Sequence, residues 1–363
     1  MSTKQVLHMN TGVGEASYAN NSTLQRKVLF EMKSILEESI KTLLHHTTFK
    51  SNLKVADLGC SSGPNSLLVV SDIMSVINTT RLGSKQEVPI LQVYLSDLFG
   101  NDFNGIFKLL PDFYQKIQDR GDKAGACFIN ATPGNFYGRL FPNNYIDFFH
   151  SSNSLHWLSQ SPEELTKGAE PLNKGHIYLT IKSPKIVYKA YFEQFQRDFN
   201  LFLRSRSNGL TLDGSMVLSL LGRENAAFEK GTTQDLIELV LKDMVLEGLL
   251  EETKLDCFNM PIYIPTVEEV KQIIEAEGFF TLQTLKTIQI SLDGPLPHDM
   301  DTKIKGELIS KTLRSVVGPL YFAAFGKGIM DELFSRFAHK ISQAIEFEKL
   351  HYTTLIMSMT KVT

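Results

Sequence analysis

The chain has 363 residues, 42% of them hydrophobic, and a formal net charge of -3. That length exceeds a common single domain and supplies a core without help from disulfides or metals; the missing basic excess argues against nucleic acid as a partner. Cys60, Cys127 and Cys257 have neither metal-ligand nor pairing spacing, which suits a reducing compartment, and no secretory signal or membrane-length apolar run is visible, so a soluble cytoplasmic protein is expected.

Polar residues in "SYANNST" (17–23) supply caps for a run with helical periodicity over 24–46. "KVADLG" (54–59) predicts a strand, followed by a helix from about Pro64 to Asn78, proline being welcome in a first turn. Then come a strand at "ILQVYLSDL" (90–98), a helix at "DFNGIFKLLPDFYQKI" (102–117), and strands at "ACFINAT" (126–132) and "YIDFFHSS" (145–152). A helix at "PKIVYKAYFEQFQRDFNLFLRSRS" (184–207) leads to a fifth strand, "GSMVLSLLG" (214–222). Strands alternating with helices predict a mostly parallel sheet covered on both faces.

From Asn225 to Val317 the pattern turns mainly helical, with runs at 235–250, 267–278 and 301–317, interrupted by a returning strand at "FFTLQTLKTIQI" (279–290). A last helix (328–345) precedes the strand "YTTLIMSMT" (352–360). The expected organisation is an α/β domain over 1–224 and 321–363, with an inserted, mainly helical cap over 225–320 that covers the substrate. No linker of Pro, Gly and Ser separates the two.

Ligands of open α/β sheets sit beyond the carboxyl ends of the strands, where strand order reverses. "DLGCSSGPN" (57–65) occupies such a place, and Gly59 and Gly63 would let the backbone approach a ligand without a Cβ in the way. The pattern is neither GxGxxG nor a GK[ST] phosphate loop. Asp97, at the end of the second strand, can accept both hydroxyls of a ribose in charge-assisted hydrogen bonds. A nucleoside without a phosphate cradle points to S-adenosylmethionine.

Six blocks carry a family resemblance: "VLHMNTGVGEASYANNS", "ADLGCSSGPNSLL", "LSDLFGNDFN", "GNFYGRLFP", "HSSNSLHWLSQ" and "KLDCFNMPIYIP". In order and across nearly the whole chain, they resemble the plant SABATH methyltransferases. That family holds salicylate, benzoate and jasmonate carboxyl methyltransferases and xanthine-alkaloid N-methyltransferases such as caffeine synthases. The resemblance implies S-adenosylmethionine as donor, a Rossmann-like methyltransferase domain with a helical cap, a small-molecule acceptor and a homodimer.

Carried onto matching positions, it implies cofactor contacts at Tyr18, Ser22, Asp57, Gly59, Cys60, Asn65, Asp97, Leu98, Asn135 and Phe136. Phe136 would lie against the adenine. The chain departs from the family pattern at Asn135, where serine is usual, and near Thr11, where a basic residue is common. Gln25 and Trp157 resemble the pair whose amide and indole N–H groups grip an acceptor carboxylate. Asn153 and His156 would line the same pocket, with Leu313, Val316 and Tyr352 contributed by the cap and C-terminus. Asn173, Asp256, the Phe258 carbonyl and Asn259 match a metal position of several members, a donor set suited to Mg²⁺.

Methyl transfer from a sulfonium is an in-line displacement that needs placement in a dry pocket rather than a strong base, so no catalytic acid or base is nominated. Gln25 favours carboxyl O-methylation of a small aromatic or jasmonate-type acid. The alternative is xanthine N-methylation: residues 224–245 lack the tryptophan of salicylate-type members, residues 247–271 resemble the coffee xanthine methyltransferases, and Asn153 replaces the usual tyrosine or serine.

Overall fold

The computed structural model describes residues 8–12, 14–46, 51–83, 87–119, 127–225, 232–347 and 349–362. Residues 6–7, 13, 126 and 226–231 of the segments quoted above lie outside them. The strands are β1 Asn52–Leu58, β2 Ile90–Ser96, β3 Cys127–Ala131, β4 Ile146–Ser152, β5 Leu210–Leu221, β6 Phe280–Ser291 and β7 His351–Lys361. They form one sheet in the order β3-β2-β1-β4-β5-β7-β6. From β3 to β5 the strands run parallel; β7 alone is reversed, antiparallel to both β5 and β6. Strand order therefore reverses between β1 and β4, which places the crevice at the ends of those two strands.

Helices cover both faces, which is why β4 is buried along nearly all its length. On one face α1 Thr23–His46 and α2 Asn65–Gly83 pack together. Their Met32, Ile40, Val70 and Ile73 meet Leu53, Val55 and Val93 of the sheet in one core. On the other, α5 Lys185–Gly209 packs against α8 Val267–Glu277. Phe195, Phe199 and Phe202 of α5, spaced to share one helical face, stack with ring centroids 5.5 and 6.2 Å apart.

Sequence expectation and structure part in three places. The helix expected over 102–117 is two helices, α3 Phe103–Phe107 and α4 Leu110–Asp119. Pro111 has no N–H to donate back to Phe107, so the chain breaks there and restarts with proline in the new first turn. The helix expected to stop at Val317 is α9, Thr302–Phe325, which carries Pro319 inside it.

Third, sheet and helical layer interleave along the chain instead of dividing at 225 and 320. β6, within the range expected for the cap, is the edge strand of the main sheet, paired along β7, whose amides it covers. α10 Met330–Phe347, beyond 320, packs on α9 and on α6 Thr233–Leu246, with α7 Glu252–Cys257 against α9. Reciprocal side-chain and backbone bonds cap α6 through Thr232 and Asp235 and α8 through Thr266 and Glu269. Among the described residues, no helix is long and apolar enough to cross a membrane.

Candidate active site

The turn after β1 is held to β2 by backbone bonds: Gly59 N–H and Cys60 N–H both donate to Ser96 O, at 2.8 and 3.1 Å. Gly59 (φ 75°) and Gly63 (φ 109°) take left-handed backbone, and so does Ser61 (φ 53°), at a cost glycine would not have. The space left by the glycines is taken by protein. A Cβ on Gly59 would stand 2.2 Å from Ser154 Oγ, and one on Gly63 2.8 Å from Ala19 Cα. Gly59 still forms wall of a cavity; Gly63 instead lets the N-terminal segment cross the turn.

Ser61 N–H donates to Asp97 Oδ2 and Leu98 N–H to Asp97 Oδ1, both at 2.7 Å. Both carboxylate oxygens are thus oriented by backbone and keep lone pairs for a ligand. Burial pushes Asp97 up to about 6, against the pull of those two N–H groups. The same burial, helped by the charges of Asp97 and Asp57, pushes the Tyr18 phenol upward.

Two cavities open at these strand ends. The smaller, about 80 Å³, is walled by Tyr18, Gly59, Asp97, Leu98, Asn135 and Phe136, together with Ser61, Tyr137 and Ser154. The larger, about 360 Å³, takes in all seven residues expected for the acceptor: Gln25, Asn153, His156, Trp157, Leu313, Val316 and Tyr352. Met9, Tyr18, Asn153 and Trp157 line both, so the cavities meet at these four side chains.

Four residues expected at the cofactor stand in the supporting structure instead of the cavity wall. Asn65 donates to Ser22 O and Oγ, both at 3.0 Å, tying the start of α2 to the start of α1. Asp57 Oδ1 lies 2.7 Å from His150 Nδ1 in a buried pair between β1 and β4. Cys60 is buried behind the turn.

His156 is buried, and its Nδ1 accepts the Leu221 N–H at 3.2 Å, so the neutral ring carries its proton on Nε2. Burial lowers it to about 3 and makes it a donor, not a base. Asn153 has φ 55°, a conformation asparagine tolerates better than tyrosine or serine. Gln25 lines the larger cavity, and its Oε1, an acceptor, is buried there without a partner.

Some contributors escaped motif reading. Buried Arg206 of α5 donates from Nη1 to Phe136 O and from Nη2 to Gly138 O, each at 2.7 Å, and so rivets the loop carrying Asn135, Phe136 and Tyr137. The only sequence signal was a cation at a position on the apolar face of that helix. Thr233 and Tyr352 share a 2.6 Å hydroxyl bond at the wall of the larger cavity, beside Gln234. Met9 and Tyr137 had no signal beyond lying in the quoted blocks.

The metal candidates do come together, but their donors are engaged. Asn173 Nδ2 donates to Asn259 Oδ1 at 3.0 Å. Asp256 Oδ1 accepts Gly175 N–H at 2.8 Å, and its Oδ2 faces Lys174 Nζ at 3.7 Å. Among their side chains, only Asn173 Oδ1 is a buried acceptor without a partner. Among the described residues no group of three or more His, Cys, Asp and Glu comes together. A hard divalent ion wants a shell of oxygens and no ammonium beside its one carboxylate, so these residues do not fit Mg²⁺.

Residues 4–362 match the family model described as SAM dependent carboxyl methyltransferase. The chain is 43% identical to "Probable jasmonic acid carboxyl methyltransferase 2" of Theobroma cacao, over 99% of this chain and 100% of that one. It is 42% identical to "Probable caffeine synthase MTL2" of Coffea canephora, over 99% of this chain and 98% of that one. A solved structure titled "Loganic acid methyltransferase with SAH" superposes with a TM-score of 0.84 at 30% identity, covering 98% of this chain and 99% of that one. The chain belongs to the SAM-dependent carboxyl methyltransferase, or SABATH, family and is a small-molecule methyltransferase that uses S-adenosylmethionine as its methyl donor.

Proposed function

We propose that the protein methylates a carboxylate oxygen of a small aromatic or jasmonate-type acid, with the cofactor's nucleoside in the smaller cavity and the acid in the larger. S-adenosylmethionine supplies, when bound, a methyl group already activated on a sulfonium. Asp97 receives the ribose hydroxyls on the oxygens its two backbone partners orient, and Phe136 flanks the adenine. Tyr18, Asn153 and Trp157, at the meeting of the cavities, surround the transfer point and exclude water from it. Gln25 and Trp157 present neutral N–H donors that turn one carboxylate oxygen toward the methyl group without quenching it.

One observation carries the choice of acceptor: among the described residues, none that lines the larger cavity titrates near neutrality. Its ionisable lining is His156, lowered to about 3, and the phenols Tyr18, Tyr321 and Tyr352, all raised by burial. A carboxylic acid arrives already ionised and needs no base; an N–H acceptor must lose a proton. A second reading, N-methylation of a xanthine, is favoured by Asn153. Its Nδ2 donates to Ser152 Oγ at 3.3 Å, and its carbonyl oxygen remains to pair with a purine edge. The relative from coffee supports the same reading.

Incubation with labelled donor and a panel of salicylate, benzoate, jasmonate, nicotinate, 7-methylxanthine and theobromine tests the proposal. Turnover of an acid supports it, and turnover confined to xanthines overturns it. A homodimer is included on the family resemblance alone, and light scattering of the purified protein decides it.

A further inference from the structure

We propose that Tyr137 is a positioning residue: its ring belongs to the cofactor cavity, while its hydroxyl fixes Trp157 at the acceptor. The proposal rests on the reading that Trp157 holds the acceptor. Tyr137 walls the smaller cavity, sits edge-on to Phe136 with centroids 4.8 Å apart, and is 5% exposed. Its hydroxyl donates to the Trp157 carbonyl at 2.5 Å. A buried hydroxyl left unpaired is costly, so this bond holds donor and acceptor together.

Tyr137 itself has a rigid mount. Its N–H donates to Asn135 Oδ1 at 2.9 Å, and its carbonyl accepts Ser205 Oγ at 3.2 Å. The carbonyls on either side, Phe136 O and Gly138 O, are those held by Arg206.

Trp157 lies four residues beyond left-handed Asn153, past the end of β4, and belongs to no named strand. Its N–H turns back to Ser154 O at 3.1 Å, and it pairs with Ile262 through an isolated bridge. The residues on either side are held by backbone bonds, Tyr263 N–H to His156 O at 2.8 Å and Leu158 N–H to Pro261 O at 2.7 Å, and the Tyr137 hydroxyl adds the bond at the Trp157 carbonyl itself. Asn135, where the family usually has serine, enters this arrangement as the side-chain acceptor that holds the Tyr137 backbone.

Trp157 is the only tryptophan, so its emission and its single indole N–H resonance report this residue alone. Tyr137→Phe removes the hydroxyl and keeps the ring. We expect its dissociation constant for S-adenosylhomocysteine to stay within about twofold of the parent, because the cavity wall is intact. The Trp157 resonance should shift or broaden. With jasmonate as acceptor, or 7-methylxanthine if only that is methylated, KM should rise roughly tenfold, the equivalent of one buried hydrogen bond, with a smaller change in kcat. Tyr137→Phe added to Trp157→Phe should raise KM no further.

An unchanged Trp157 resonance with an unchanged acceptor KM overturns the proposal. So does a weakened cofactor complex with the acceptor KM preserved, which would assign Tyr137 to the cofactor alone. If Trp157→Phe itself leaves the acceptor KM unaltered, the acceptor role of Trp157 fails instead. In that case the indole resonance of Tyr137→Phe, which needs no turnover, still decides whether Tyr137 fixes Trp157.

Discussion

Removing the charge of Asp97 should both weaken cofactor binding and erase its pH dependence. The carboxylate is buried, oriented by Ser61 N–H and Leu98 N–H, and raised to about 6. Only the ionised form accepts from both ribose hydroxyls. With a pKa near 6 the group is about 90% ionised at pH 7 and about 10% at pH 5, so the dissociation constant should rise roughly tenfold between them. Asp97→Asn exchanges charge-assisted bonds for neutral ones and turns an NH₂ toward one of the two backbone donors. A loss of about 1–3 kcal/mol follows, roughly fivefold to 150-fold in affinity.

Stability should move the opposite way. Because the folded pKa lies above the unfolded one, this group's stabilising contribution is full below about 4 and is lost as pH rises to about 6. It amounts to about 3 kcal/mol as an order of magnitude. Calorimetry of S-adenosylhomocysteine binding from pH 5 to pH 8, on parent and Asp97→Asn, measures the first effect; urea unfolding of the ligand-free protein measures the second. A parent affinity flat across that range, or an equal slope in the variant, refutes the assignment of the ribose to Asp97.

His156, lowered to about 3 by burial, should keep its neutral-ring carbon shifts in an NMR titration down to pH 5 and contribute no ionisation to the pH–rate profile. An imidazolium signal near pH 6 would contradict that. Gly63→Ala puts a Cβ 2.8 Å from Ala19 Cα at φ 109°, so urea unfolding should show a loss of about 1–3 kcal/mol. Arg206→Met strands the carbonyls of Phe136 and Gly138. It should cost about 2–5 kcal/mol in stability and also weaken S-adenosylhomocysteine, whereas Arg206→Lys should recover part of both. Gln25→Ala should raise the KM for an acid about tenfold with the cofactor affinity unchanged; initial-rate kinetics beside calorimetry separate the two.

Much of this architecture was legible in the residues. Strand and helix types follow from periodicity, and the glycine-bearing turn and Asp97 declare themselves because a crevice at strand ends needs small residues and a carboxylate. What was not legible depends on long-range partners. The glycines were read as room for a ligand, yet Ser154, Ala19 and their contacts fill that room, and those neighbours are 44 to 95 residues away in sequence. β6 carried a strand's composition but not its address, since its place on β7 is set by pairing. Asn153 was weighed as a purine reader by its side chain; its left-handed backbone supplies a second reason for asparagine that no single-sequence pattern displays. Arg206 is a cation on the apolar face of its helix, and only the fold shows the two carbonyls it is turned toward.

The central claim is transfer to a carboxylate oxygen without a base, and the chemical fate of the methyl label tests it most directly. The purified enzyme is given labelled S-adenosylmethionine with equal amounts of jasmonate, salicylate and 7-methylxanthine, and the products are treated with mild alkali. The account predicts that the transferred label is released as volatile methanol, because an ester hydrolyses. Label that stays on the acceptor through alkali would show an N-methyl product and contradict it.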